Sequence, residues 1–115
     1  MFTLILTRKW YEKLLSGEKE EDYRDIKPYY TTRLQNILGK EKMSLLLAGK
    51  EVLLGDVVFK LGYKKDACSF TEMTTVRIGK GNPDWGADGN RDQYIFRLLI
   101  PVSFDNRGAI YAINN

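Results

Sequence analysis

From residue 52 onward the sequence is cut into short β-forming runs by glycine-rich punctuation, and helical periodicity is confined to the residues before it. SFTEMTTVRIG (69–79) alternates and is rich in β-branched residues, which predicts a strand. LLGDVVFKLGY (53–63) reads as a turn at Gly55-Asp56 followed by a strand through Lys60, and QYIFRLLIPVSF (93–104) as a strong strand. AIYAI (109–113) reads as a last edge strand. Between them GKGNPDWGADGNRD (79–92) is a loop by its glycines, proline and asparagines. In the first half FTLILT (2–7) is a short strand, and RKWYEKLLS (8–16) places Trp10, Tyr11, Leu14 and Leu15 on one helical stripe. Thr7 and Gly17 stand where a helix is capped at its start and its end. KEEDYRDI (19–26) reads as a polar second strand ended by Pro28. YYTTRLQNIL (29–38) has helical spacing, and GKEKMSLLLAGKE either continues that helix or begins a second short one. The expected fold class is α+β, mostly β: five or six short strands with one to three helices, mainly in the N-terminal half. Short strands separated by turns favour a small, mostly antiparallel β-barrel, and the early strand–helix–strand order leaves room for one parallel pairing.

A chain of 115 residues predicts a single domain, 1–115, with a real core and no room for a second. The net charge of +3 is mild, but the excess is uneven. Residues 1–65 hold 13 Lys/Arg against 9 Asp/Glu, while residues 66–115 hold 5 against 6. This asymmetry fits a polyanion-facing side as well as an unevenly charged solvated surface. There is no histidine. That removes Ser-His-Asp and Cys-His catalysis and nearly all zinc sites, so any proton transfer falls to Lys, Asp, Glu or Tyr. No metal or cofactor is expected. The single cysteine, Cys68, cannot form an internal disulfide, which fits a reducing compartment. No run approaches 18 apolar residues, and the first residues lack a basic leader pattern. The expectation is a cytoplasmic protein with no membrane partner.

Chemistry concentrates in GEKEEDYRDIKPYY (17–30). On an extended strand Asp22 and Arg24 share a face, whereas Lys19 falls on the other. The simpler reading is a structural Asp22–Arg24 ion pair with Lys19 in solvent. The other reading places a turn or bulge near 17–20 and gathers Lys19, Asp22 and Arg24 into one amine–carboxylate–guanidinium cluster. A desolvated lysine beside a cation has a lowered pKa and can act as base, and the arginine can hold a phosphate or an oxyanion. Three clusters mix rings with cations: RKWY (8–11), YRDIKPYY (23–30) and GYKK (62–65). Such mixtures suit single-stranded nucleic acid, although rings in the core and lysines at the rim would give the same pattern. Lys9, Tyr23, Arg24, Lys27, Tyr63 and Lys64 are therefore the candidate contacts for RNA or a nucleotide-like small molecule. Trp85, in a glycine-rich loop, is either a ligand contact at the cleft edge or a lid on the barrel end.

LSGEKEEDYRDIKPYY resembles the opening motif of ASCH domains, the activating-signal-cointegrator homology family of the PUA-like superfold. The family pattern Gly-x-Lys-x-x-Glu-x-Arg is met by Gly17, Lys19, Asp22 and Arg24, with Asp in place of Glu. VVFKLGY, VRIGKGNPDWGA and QYIFRL follow in the order seen in short bacterial and phage-like members, so the likeness runs over about residues 3–100. It implies a β-barrel with helices, a cleft where the Gly-x-Lys motif faces the barrel mouth, and binding of RNA or modified nucleosides. Some small members are metal-free amidohydrolases that deacylate acetylated cytidine with a Lys, a Thr three residues later and a distant Glu, and others are suggested to cleave RNA. Here the Lys position is Lys19 and the Thr position is Asp22. If the chain is an enzyme, Lys19 and Asp22 are its catalytic pair, Asp22 serving as base for a water, with Glu51 or Glu72 as the distant acid. A lysine lining a cleft contributes little packing, so Lys19 would then be removable without unfolding. The three aromatic–basic clusters and the missing Thr favour a binding domain; Lys19 beside Asp22 favours a hydrolase.

Overall fold

The sheet is organised around β5, whose residues Gln93–Leu98 are buried on both faces except at Arg97. A strand covered on both sides needs neighbours on both edges and a layer over each face. The computed structural model describes residues 2–99 and places β5 between β4 and β2, with one face on the main core. In chain order the elements are β1 (Phe2–Leu6), α1 (Arg8–Leu15), β2 (Glu21–Arg24), α2 (Pro28–Leu47), β3 (Val52–Leu61), β4 (Ser69–Gly79), a single 3-10 turn at Pro83–Trp85, and β5. The five strands form one sheet in the order β1-β3-β4-β5-β2, curled into a half-barrel. The expected α+β, mostly β class with its helices early in the chain is what the structure has. The sheet is antiparallel except for β1 with β3, the one parallel pairing that the early strand–helix–strand order allows.

Alternation sets the faces. Phe2, Leu4 and Leu6 of β1 point inward with Val57 and Phe59 of β3, Val76 of β4, and Tyr94, Phe96 and Leu98 of β5. Tyr11 and Leu14 from α1, and Leu34, Met43 and Leu46 from α2, complete this core. Asp22 and Arg24 of β2 stand opposite Phe96 and Tyr94, so a carboxylate and a guanidinium are carried on the apolar inner face. They stand at the seam between the sheet's two edges, where Arg24 bonds the Ile5 carbonyl of β1.

Three sequence expectations change in detail. Gly55-Asp56 is no turn: β3 runs straight through it, with a register slip against β4 between Leu53 and Gly55. The slip is a β-bulge, which bends a strand without ending it. Pro28 does more than end the second strand, since it opens α2 at the helix's first turn, where a missing N–H costs nothing. Thr7 stands at the N-cap of α1 in extended conformation, but its hydroxyl makes no capping bond. The alternative left open for residues 39–51 resolves as a second short helix: the backbone leaves helical geometry at Gly39 (φ 81°, ψ 174°), so α2 is two helices joined across a kink. The expected edge strand at 109–113, and the end of the strand expected at 93–104, lie outside the described residues.

A Cβ at Gly39 would meet no atom within 4 Å, so the demand for glycine there is purely one of backbone conformation. Gly39→Ala should lower stability by about 1–2 kcal/mol, the scale of one side chain forced to positive φ. Urea unfolding of the two proteins measures it.

Candidate functional site

Lys19 reaches the inner side because it is not on a strand. α1 ends at Leu15, Gly17 takes a positive φ of 83°, and the chain folds back so that the Lys19 N–H donates to the Lys13 carbonyl at 3.0 Å before β2 begins at Glu21. Strand alternation therefore does not apply to it. The simpler reading, Lys19 in solvent, is corrected: its residue is 2% exposed. Its ammonium donates to the Trp85 carbonyl at 2.6 Å and lies 3.8 Å from Asp22 Oδ1. It stands 4.3 Å from the centre of the Trp10 ring and 5.4 Å from that of Tyr23. Burial lowers its pKa; Asp22 pulls the other way and does not cancel that effect, and Arg24 adds to it.

Arg24 is engaged at all three nitrogens. Nε donates to Asp22 Oδ2 at 2.8 Å, Nη1 to the Tyr30 hydroxyl at 3.1 Å and Nη2 to the Ile5 carbonyl at 2.7 Å. Burial alone would lower its pKa, but Asp22 and Tyr30 outweigh it and raise it. The Ile5 bond joins β2 to β1, the two edge strands of the sheet. The expected Asp22–Arg24 ion pair is present within β2, and Arg24 reaches across the seam of the half-barrel to Ile5.

The glycine-rich loop closes over this cluster. The Asn82 N–H donates to the Tyr23 hydroxyl at 3.1 Å, and that hydroxyl donates to Glu21 at 2.7 Å. Burial is the main reason the Tyr23 phenol is raised well above its ordinary pKa, with Glu21 adding to it. At Gly81 any Cβ would collide with the Tyr23 ring, so the loop backbone can lie on that ring only with glycine there. The Trp85 side chain is half-buried; its carbonyl, rather than its ring, holds Lys19. Trp85 is thus part of the covering loop.

Beside the cluster opens a polar cleft of about 440 Å³, lined by residues 23–30 and 86–93. Tyr23, Arg24 and Lys27, all expected contacts, line it, together with Tyr30. Arg91 and Gln93 line it opposite, bound to Asp25 at 2.8 and 3.1 Å, and Arg91 also reaches Asp88 at 3.2 Å. Lys19 and Asp22 are not among its lining residues; they sit behind it. The remaining expected contacts lie elsewhere. Tyr63 and Lys64 line a separate groove, and Lys9 is exposed beside Trp10, 4.5 Å from the ring centre. Neither candidate for the distant acid joins the cleft. Glu51 is bound by Thr75 and Arg97, which together outweigh burial and lower its pKa, while Glu72 is raised by burial and then by Asp56.

Arg91, Asp25 and Gln93 escaped the sequence reading. Arg91 and Asp25 carry no spacing signal, since they meet across 66 residues. Gln93 did carry one: a polar residue opening an apolar strand, whose amide here joins Asp88 to Asp25. Among the described residues no group of His, Cys, Asp and Glu is arranged to hold a metal ion, and no helix is long and apolar enough to cross a membrane. No known protein family, curated protein or solved structure matches this chain.

Two substitutions test the cluster. Lys19→Met should lower stability by about 2–4 kcal/mol, because it strands a buried carbonyl and removes a packed cation; the expectation that the residue is removable without cost does not survive its burial. The sign of its pH dependence is also set. With a folded pKa below the ordinary 10.5, the unfolded chain holds more protons in that interval, so this contribution to stability rises with pH there. Urea midpoints measured from about pH 8 to 10 should therefore climb more steeply in the wild type than in Lys19→Met. Arg24→Lys should cost about 2–3 kcal/mol, since one ammonium cannot reach Asp22, Tyr30 and Ile5 together; a melting temperature equal to wild type would refute that.

Proposed function

We propose that this chain is a binding domain for RNA or a nucleotide-like small molecule, in keeping with its resemblance to ASCH domains, and that the ligand enters the polar cleft beside the Gly17–Arg24 motif. The observation that carries this is the cleft's lining. Three cations (Arg24, Lys27, Arg91) stand against two carboxylates (Asp25, Asp88), with two tyrosines and a glutamine amide between them. Lys27 and Arg91 keep 65% and 59% of their side chains exposed at the rim, and their ion pairs with Asp25, and of Arg91 with Asp88, are open to solvent, where a phosphate can compete with the carboxylates. Arg24 is fixed by Asp22, so it offers a static positive charge in the wall rather than a mobile one. Carboxylates, amide and phenols supply the mixed donors and acceptors that the edges of a base require.

The same geometry favours binding over catalysis. Lys19 has the lowered pKa that a base needs, which is the one observation on the side of a metal-free amidohydrolase or ribonuclease. Its ammonium, however, is held by the Trp85 carbonyl and walled by two rings, and Asp22 is committed to Arg24. Neither atom lines the cleft where a substrate would lie. On the binding reading acetylated cytidine is recovered unchanged after incubation with the protein; release of acetate would favour the hydrolase.

The direct test is a titration with single-stranded RNA at two salt concentrations. With Lys27 and Arg91 each neutralising one phosphate, log K should fall against log salt with a slope of about −1.4. Lys27→Ala or Arg91→Ala should each weaken binding several-fold and reduce that slope by about 0.7. Binding indifferent to salt and to both substitutions would remove the cleft from consideration.

A further inference from the structure

A second concavity lies at the other side of the seam. It is a groove of about 510 Å³ between residues 5–8, where β1 passes into α1, and the β3–β4 connection at 61–67. Its floor is apolar, from Ile5, Leu6, Leu61 and Ala67. Its rim carries Arg8, Tyr63 and Lys64, and no carboxylate lines it. Tyr63 is 87% exposed, the most solvent-facing of the large apolar or aromatic side chains among the described residues. It lies on a connection anchored at its start by the Gly62 N–H on the Leu6 carbonyl at 3.1 Å and the Leu61 N–H on the Cys68 carbonyl at 2.9 Å. Lys64 forms no ion pair among the described residues, and Arg8 meets only the exposed Glu12, a contact of little energetic weight. An exposed ring flanked by two available cations over an apolar floor is complementary to a base with its flanking phosphates.

The groove and the polar cleft meet at one contact. The Ile5 carbonyl belongs to a residue lining the groove, and it accepts from Arg24, which lines the cleft. We propose that the groove carries the nucleotides flanking the one held in the cleft, so that the ligand is a strand of single-stranded nucleic acid crossing the β1–β2 seam rather than a free mononucleotide. Tyr63 stacks on a base, and Arg8 and Lys64 hold the phosphates beside it. The proposal rests on the cleft being the nucleotide site. It gives a place to two residues, Tyr63 and Lys64, that lie outside the cleft yet share its ring-and-cation chemistry.

The test compares uridine 5′-monophosphate with a fluorescein-labelled octauridylate, titrated into the wild type, Tyr63→Ala and Arg91→Ala. Tyr63 is so exposed that its removal leaves the fold intact. The expected result is that the octamer binds at least ten-fold more tightly than the monophosphate. Tyr63→Ala should weaken the octamer about ten-fold, on the scale of one lost base stack, and leave the monophosphate unchanged, whereas Arg91→Ala weakens both. If Tyr63→Ala binds the octamer as the wild type does while Arg91→Ala does not, the groove is overturned and the cleft stands. If the wild type binds neither probe, the cleft reading fails and the groove falls with it. An octaglutamate peptide that displaces the labelled octamer as well as unlabelled octauridylate does would overturn the choice of a nucleic acid as the occupant.

Discussion

A guanidinium with a different acceptor on each of its nitrogens holds this molecule's two sheet edges together. The strands β1 and β2 have no backbone pairing with each other, and a curled sheet with open edges needs something across the gap. Arg24 provides it through Ile5, and Asp22 makes a charge tolerable on an inner face otherwise filled by Phe96, Tyr94 and their neighbours. Lys19 belongs to the same unit from outside the strand, and through the Trp85 carbonyl it fastens the glycine-rich loop over the cluster. Removing one member of such a buried group leaves the others unpaired, so the motif acts as a structural unit first. The wall of the cleft is already set by these contacts, and preorganisation of this kind reduces what the proposed ligand must order on arrival.

The covering loop and the cleft draw on the same residues. Tyr23 supports Asn82 and Gly81 with its hydroxyl and ring, and it also lines the cleft. Asp25 holds Arg91 and Gln93 from the far side of the cleft. The polar network is therefore continuous from β2 across the cleft to the start of β5, and the cations at its rim remain exposed at its outer end. Position in the network separates two roles: Arg24 is fixed, Arg91 and Lys27 are adaptable.

Much of the fold was legible in the sequence because period and punctuation carry it. The strands at 2–6, 69–79 and 93–98 and the helix at 8–15 follow from alternation, a stripe and glycine boundaries. Gly55 misled because a glycine followed by aspartate marks a turn and a bulge with equal local chemistry; only the partner strand decides which. In the site, Asp22 and Arg24 were readable from spacing of two. Lys19 was not, because its direction depends on a turn whose geometry strand alternation does not describe. Arg91 and Asp25 were beyond reach for a simpler reason: their contact exists only after the sheet has formed. Tyr63 and Lys64 were recognised by type, but sequence shows which residues are ring and cation and not which concavity they line.

The strand order has a consequence for assembly. The first 24 residues contribute both outer strands, while the three strands between them come from residues 52–98. The N-terminal strands therefore pair only with strands made after them. β3, β4 and β5 form a meander of sequential antiparallel neighbours whose pairings are local, and β1 and β2 each need a strand that appears much later in the chain. During synthesis β1 has no strand to join until β3 has been made, and β2 has none until β5 has been made. The bond between Arg24 and Ile5 spans 19 residues of sequence yet joins the two opposite ends of the sheet order.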